Sequence, residues 1–97
     1  MLKTQPFFRY VHAWGSLYEQ LEKDENLNSV SGEHVFLYDS IGNIVNVEDG
    51  KLVVLQGLKE YIVVQNQDTI LVCRREDEQK IKQFVTEIKS EIGDGMV

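Results

Sequence analysis

Cys73 is the only cysteine of the chain, and Arg74 and Arg75 follow it directly. A thiol beside two guanidinium groups has the ingredients of a nucleophile, because positive neighbours favour the thiolate. The same residue closes the apolar run Ile70-Leu71-Val72, where a cysteine acts as a small inert hydrophobe. The structural role is the expected one. Ser40 beside Asp39, with His34 nearby, supplies the residue types of an acyl-transfer triad. A triad is defined by geometry, and this pair precedes Ile41-Gly42-Asn43, where Asp and Ser serve turns. His12, His34 and Cys73 are the only soft metal ligands, and none are spaced as C-x-x-C or H-x-x-x-H. The carboxylate groups Asp24-Glu25, Glu48-Asp49 and Glu76-Asp77-Glu78 fall in turns or at a helix start and read as solvated faces. Neither G-x-G-x-x-G nor G-x-x-x-x-G-K-[ST] occurs, so no phosphate cradle is recognisable. No catalytic, cofactor-binding or metal-binding residue is therefore assigned, and no cofactor is expected for this chain.

The elements that would position such groups follow from periodicity. Trp14, Leu17, Tyr18 and Leu21 fall at i, i+3, i+4 and i+7, one face of a short helix expected over 14–25 after a leader, 1–13, that holds the single proline, Pro6. Beyond Asn28 come five short runs rich in β-branched and aromatic residues: Val35 to Tyr38, Ile44 to Val47, Leu52 to Leu55, Tyr61 to Val64 and Ile70 to Cys73. Turn signals separate them, Asp49-Gly50 being a strong one. Such spacing suits either a meander or the coils of a small β-helix. Runs without alternation, such as Leu52 to Leu55, point to strands covered on both faces or bent at coil corners, and this favours a β-helix-like domain over 28–75. A C-terminal helix over 76–93 closes it. Ile81, Phe84, Val85, Ile88 and Ile92 form its apolar stripe, acidic residues fill its first turn, Glu78 and Lys82 pair on the wet face, and Gly93 is its cap.

With 97 residues, this is one domain's worth of chain with room for one modest core. A net charge of −6 argues against nucleic acid and against an anionic membrane surface as partners. A lone cysteine excludes an internal disulfide, no stretch reaches membrane-spanning length, and the first residues lack the apolar run of a signal peptide, so the cytoplasm is the expected compartment.

From Trp14-Gly15-Ser16-Leu17-Tyr18-Glu19 onward the sequence resembles the C-terminal part of bacterial mannose-1-phosphate guanylyltransferases (GDP-mannose pyrophosphorylases). The resemblance continues through Lys23-Asp24-Glu25-Asn26, Val45, and Gly57-Leu58-Lys59-Glu60-Tyr61-Ile62-Val63-Val64. It closes with Asp68-Thr69-Ile70-Leu71-Val72-Cys73 and Glu78-Gln79-Lys80-Ile81-Lys82. It implies a left-handed parallel β-helix-like domain, packed on a nucleotidyltransferase catalytic domain and used in dimer assembly. The family's catalytic domain, with its glycine-rich nucleotide loop and its Mg requirement, has no counterpart here. Where the family carries a metal-binding aspartate in a Trp-Ser-Asp-x-Gly-x run, this chain reads Phe8-Arg9-Tyr10-Val11-His12-Ala13, with Tyr10 at the aspartate position and His12 at the glycine position.

The expectation is therefore a non-catalytic assembly module, inactive by itself, as a detached C-terminal domain or a shortened gene product. A homodimer is expected, with Trp14, Leu17, Tyr18 and Leu21 as the interface candidates. The alternative is a free-standing sugar- or sugar-phosphate-binding β domain, and its isomerase-like cupin version would need more histidines than His12 and His34.

Overall fold

The structure, a computed structural model, describes residues 17–93. Its coils are set by their corners. Leu27, Gly42 and Glu60 all take left-handed backbone angles, with φ of 64°, 73° and 61°, and each stands directly before Asn28, Asn43 or Tyr61, which lead into the next coil. The two asparagines stack and are buried. Asn28 Oδ1 accepts hydrogen bonds from the Asn43 backbone N–H at 2.8 Å and from its Nδ2 at 3.0 Å. Asn43 Oδ1 in turn accepts one from the Tyr61 N–H at 2.7 Å. The Nδ2 groups of Asn28 and Asn43 donate to the carbonyls of Ser40 and Leu58, both at 3.0 Å. Buried amides are tolerable only when satisfied in this way.

Between the corners run β1 (Ser29–Ser31), β2 (His34–Tyr38), β3 (Ile44–Val47), β4 (Leu52–Gln56), β5 (Tyr61–Asn66) and β6 (Thr69–Arg74). Strands β1 to β5 alternate between two sheets, one ordered β1-β3-β5-β6 and the other β2-β4. β1 with β3, β3 with β5, and β2 with β4 all pair in parallel, the pairing expected of a β-helix. Asp49-Gly50 is indeed a turn, but it links strands of different sheets rather than a hairpin. β1 goes beyond the five expected runs, its Ser-Val-Ser carrying too little apolar character to stand out. The corner after it is short, only Gly32 and Glu33. A Cβ on Gly32 would lie 3.0 Å from both Val47 O and Val35 Cγ2, so the tight passage requires glycine. The last run departs from the coil: β6 turns back antiparallel on β5 through Gln67 and Asp68, Gln67 having φ of 52°. Two-residue turns with positive φ match the strand twist of a hairpin, and Glu48 accepts a hydrogen bond from the Gln67 N–H to hold it.

The middle strands of the four-stranded sheet, β3 and β5, are buried on both faces. Ile44, Ile62, Val64, Leu71 and Cys73 face a C-terminal helix, while Val45, Val47 and Val63 face the two-stranded sheet and its Val35, Leu37, Val53 and Leu55. Coverage on both sides is why β5 opens on the apolar run Tyr61 to Val64 and why Asn46 is the one polar residue of β3. The helix begins as a 3₁₀ turn over Arg75–Lys80, kinked at Asp77, and continues as α1 (Ile81–Ile92). Ile81, Phe84, Val85 and Ile88 lie against the sheet, Ile81 fully buried and Phe84 half-buried. Gly93 caps it, its N–H bonded to Lys89 O at 3.0 Å. Glu78 is buried rather than on the wet face expected of it, because the 3₁₀ turn rotates it inward. In place of the helix expected over 14–25, the described part of that segment holds a 3₁₀ turn, Tyr18–Gln20. Leu21 is already extended at ψ 151°, and Lys23 Nζ donates to the carbonyls of Tyr18 and Leu21, ending the turn.

Candidate functional site

Of the side chains with chemical potential, Cys73, Ser40 and Asp39 have structural occupations. Cys73 is buried among the residues facing α1. Burial, and next the Asp77 carboxylate, push its thiol above the ordinary value of 9.0, so the inert thiol form persists at neutral pH. Ser40 is buried at a coil corner, where its hydroxyl donates to Tyr38 O at 3.0 Å and accepts from the Leu58 N–H at 3.2 Å. Asp39 takes φ of 52° at the same corner, and Gly57 is likewise left-handed one coil later. His34 is exposed on β2, with Nε2 3.8 Å from Glu33. The three do not converge. Among the described residues no group of three or more His, Cys, Asp or Glu side chains could hold a metal ion. Nor is any helix among them long and apolar enough to cross a membrane.

The four interface candidates separate. Trp14 lies outside the described residues. Tyr18 is buried, its hydroxyl donating to Leu27 O at 2.5 Å. Two cations lie over its ring, the Arg75 guanidinium 3.7 Å and the Lys23 ammonium 4.6 Å from the centroid, contacts worth roughly 0.5–2 kcal/mol each. Leu21 packs, half-buried, against the same core. Only Leu17 of the described three is exposed. Tyr18 and Leu21 are thus engaged within their own chain, fixing the N-terminal turn to the sheet and to the corner at Leu27.

The exposed apolar surface lies elsewhere. The two-stranded sheet turns Val35, Leu37, Val53 and Leu55 inward. Its other face presents His34, Phe36 and Tyr38 from β2 beside Leu52, Val54 and Gln56 from β4, in direct register. Leu52 is 70% exposed and Val54 59%. Within the two strands His34 and Tyr38 are the titratable groups on this face, and the carboxylates of Glu33, beside His34, and Asp39, bonded to Gln56, stand at its ends. Sequence reasoning did not single it out, because its apolar residues read as ordinary strand core; the only available signal was the lack of polar alternation in β2 and β4.

A family model described as MannoseP isomerase/GMP-like beta-helix domain matches residues 32–88. The chain is 36% identical over 75 residues to the alginate biosynthesis protein AlgA of Pseudomonas putida, a stretch covering 77% of this chain and 15% of the relative. It is 37% identical over 81 residues to a mannose-1-phosphate guanylyltransferase of Salmonella montevideo, covering 84% of this chain and 17% of the relative. The chain thus spans only about a sixth of the length of the curated relatives it matches. A solved structure of mannose-1-phosphate geranyltransferase from Thermus thermophilus superposes with a TM-score of 0.67 at 23% identity, covering 78% of this chain and 23% of that one. That likeness establishes a common fold.

Proposed function

Because the chain belongs to the MannoseP isomerase/GMP-like beta-helix domain family, we propose that it serves as a non-catalytic assembly module of the kind joined to a mannose-1-phosphate guanylyltransferase. In this reading guanylyl transfer, with its GTP and its metal, is the work of the far larger remainder of such polypeptides. The β-helix contributes a rigid surface through which two copies associate. The observation that carries the reading is the division of labour among side chains. Cys73, Ser40 and Asp39 are absorbed in core or corners, while the uncommitted surface is an apolar sheet face. Contiguous exposed apolar area on a small domain marks a place of contact rather than of chemistry.

Light scattering and a pyrophosphate-release assay on the purified chain test both halves. The expected outcome is a particle of twice 11.2 kDa at tens of micromolar, with no GDP-mannose formed from GTP and mannose 1-phosphate in the presence of Mg²⁺. A monomer at that concentration overturns the assembly role, and pyrophosphate release above a protein-free control overturns the non-catalytic one.

A further inference from the structure

Two sets of exposed apolar side chains on this chain have complementary positions. The first is the outer face of the two-stranded sheet, with Phe36, Tyr38, Leu52 and Val54. The second lies on β6. There Val72 pairs with Val63 and Ile70 with Gln65, which puts both on the face of the four-stranded sheet that Val63 turns toward β2 and β4. The smaller sheet ends at β4, however, so β6 overhangs with nothing beneath it. Ile70 is 71% exposed and Val72 54%. Within one chain the two sets cannot meet, because both point the same way.

We infer that a second copy of this chain occupies the outer face, with β6 of each copy lying across β2 and β4 of the other. This rests on the assembly reading above and names the surface through which it operates. A two-fold axis parallel to the strands turns one copy over and seats each overhang on its partner's sheet, an isologous arrangement that closes at two. The two small sheets then lie side by side as a middle layer of four strands between two four-stranded layers. Each gap has the ~10 Å spacing of packed sheets.

Three further observations fit this occupant. Val35 to Tyr38 of β2 and Leu52 to Leu55 of β4 are continuous apolar runs, as Tyr61 to Val64 of β5 is, yet only in the paired form are their outer faces covered as such runs require. β2 and β4 themselves carry no carboxylate in a chain of net charge −6, and Glu33 and Asp39 touch the face only at its two ends, through His34 and Gln56, so its apolar middle can meet a second copy without bringing like charges together. The exposed portions of the six apolar side chains come to roughly 650 Å² per copy, most of the about 800 Å² per partner of a standard interface.

Register makes the test specific. Ile70 pairs with Gln65, Gln65 with Val47, and the turn after Val47 leads to Leu52, so Ile70 and Leu52 share one end of the domain. An axis along the strands preserves that end and sets Ile70 over Leu52 of the partner subunit. Ile70→Glu and Leu52→Lys are each expected to weaken the dimer about a hundredfold or more, by burying an unpaired charge. Both sites are exposed in one chain, so the far-UV circular dichroism should be unchanged. An equimolar mixture of the two variants is expected to recover a particle of dimer mass in light scattering. In that mixed dimer the two introduced charges, opposite in sign, face each other in one contact, and the native pair remains in the other. Ile92→Glu, on the exposed end of α1, should leave the dimer intact. A dimer that survives either strand variant, a mixture that stays monomeric, or a dimer lost in Ile92→Glu overturns the interlocked arrangement while leaving the assembly reading standing. An unmodified chain that is itself monomeric removes that reading and this one with it.

Discussion

Replacing Asn43 by alanine would strand the Tyr61 N–H and take one of two donors from each of the Leu58 carbonyl, which keeps the Ile41 N–H, and Asn28 Oδ1, all at the stacked corner. A buried group left without its partner costs about 1–3 kcal/mol. Asn43→Ala is therefore expected to lower stability by about 2 kcal/mol, read as a fall in the urea midpoint without a change in slope. Asn43→Asp keeps the acceptor for Tyr61 but loses the amide donor, and should also be destabilised. The sequence shows Asn28 and Asn43 as turn-forming residues and no further. Their stacking is hidden because the coils are unequal: Ser29 meets Ile44 across the short Gly32-Glu33 corner, whereas Ile44 meets Ile62. A fixed period cannot be read from a repeat whose first coil is shorter than its second. Leu27 and Glu60 give no signal either, since nothing in a leucine or a glutamate announces φ near 60°.

At the scale of the elements, the stripe on α1 was legible because a 3.6-residue period survives whatever it packs against. Ile81 is fully buried and Phe84 only half so. Ile81→Ala should thus cost about 3 kcal/mol by leaving a cavity, Phe84→Ala somewhat less, and the exposed Lys82→Ala no more than about 0.5 kcal/mol. Equal denaturation midpoints for Ile81→Ala and Lys82→Ala would show the stripe to be turned away from the sheet. The strand runs were equally legible in place, but Leu52 to Leu55, whose lack of alternation pointed to double coverage or a bend at a coil corner, is covered on one face only, whereas β3 and β5 are covered on both. Direction was not legible: Tyr61 to Val64 and Ile70 to Cys73 look alike, and only the two-residue turn at Gln67-Asp68 makes the second run back on the first. The N-terminal helix was overestimated for a different reason. Tyr18 and Leu21 do bury as a stripe would, but Leu21 reaches the core from an extended backbone, so a short apolar spacing fits either conformation.

For the whole molecule, the fold class followed from the series of short runs and turns, whereas the exposed face on β2 and β4 did not, because surface is a property of what the sheets leave uncovered. The same topology also imposes an order in time. β5 and β6 pair across two residues, while β1, β3 and β5, and β2 with β4, each require a full coil to close before they can pair. Closing the longer loops loses more chain entropy before any contact repays it. Folding is therefore expected to begin at the hairpin of β5 and β6, with the coils adding back toward β1. In rate measurements Leu71→Ala should mainly slow folding, and Val45→Ala should mainly speed unfolding; the reverse pattern would place the nucleus among the coils. Synthesis runs in the opposite sense. A ribosome releases residues 29–56 before the hairpin expected to organise them, so in this order the apolar strands β2 to β4 spend the interval unpaired, and a fast final closure is what shortens their exposure.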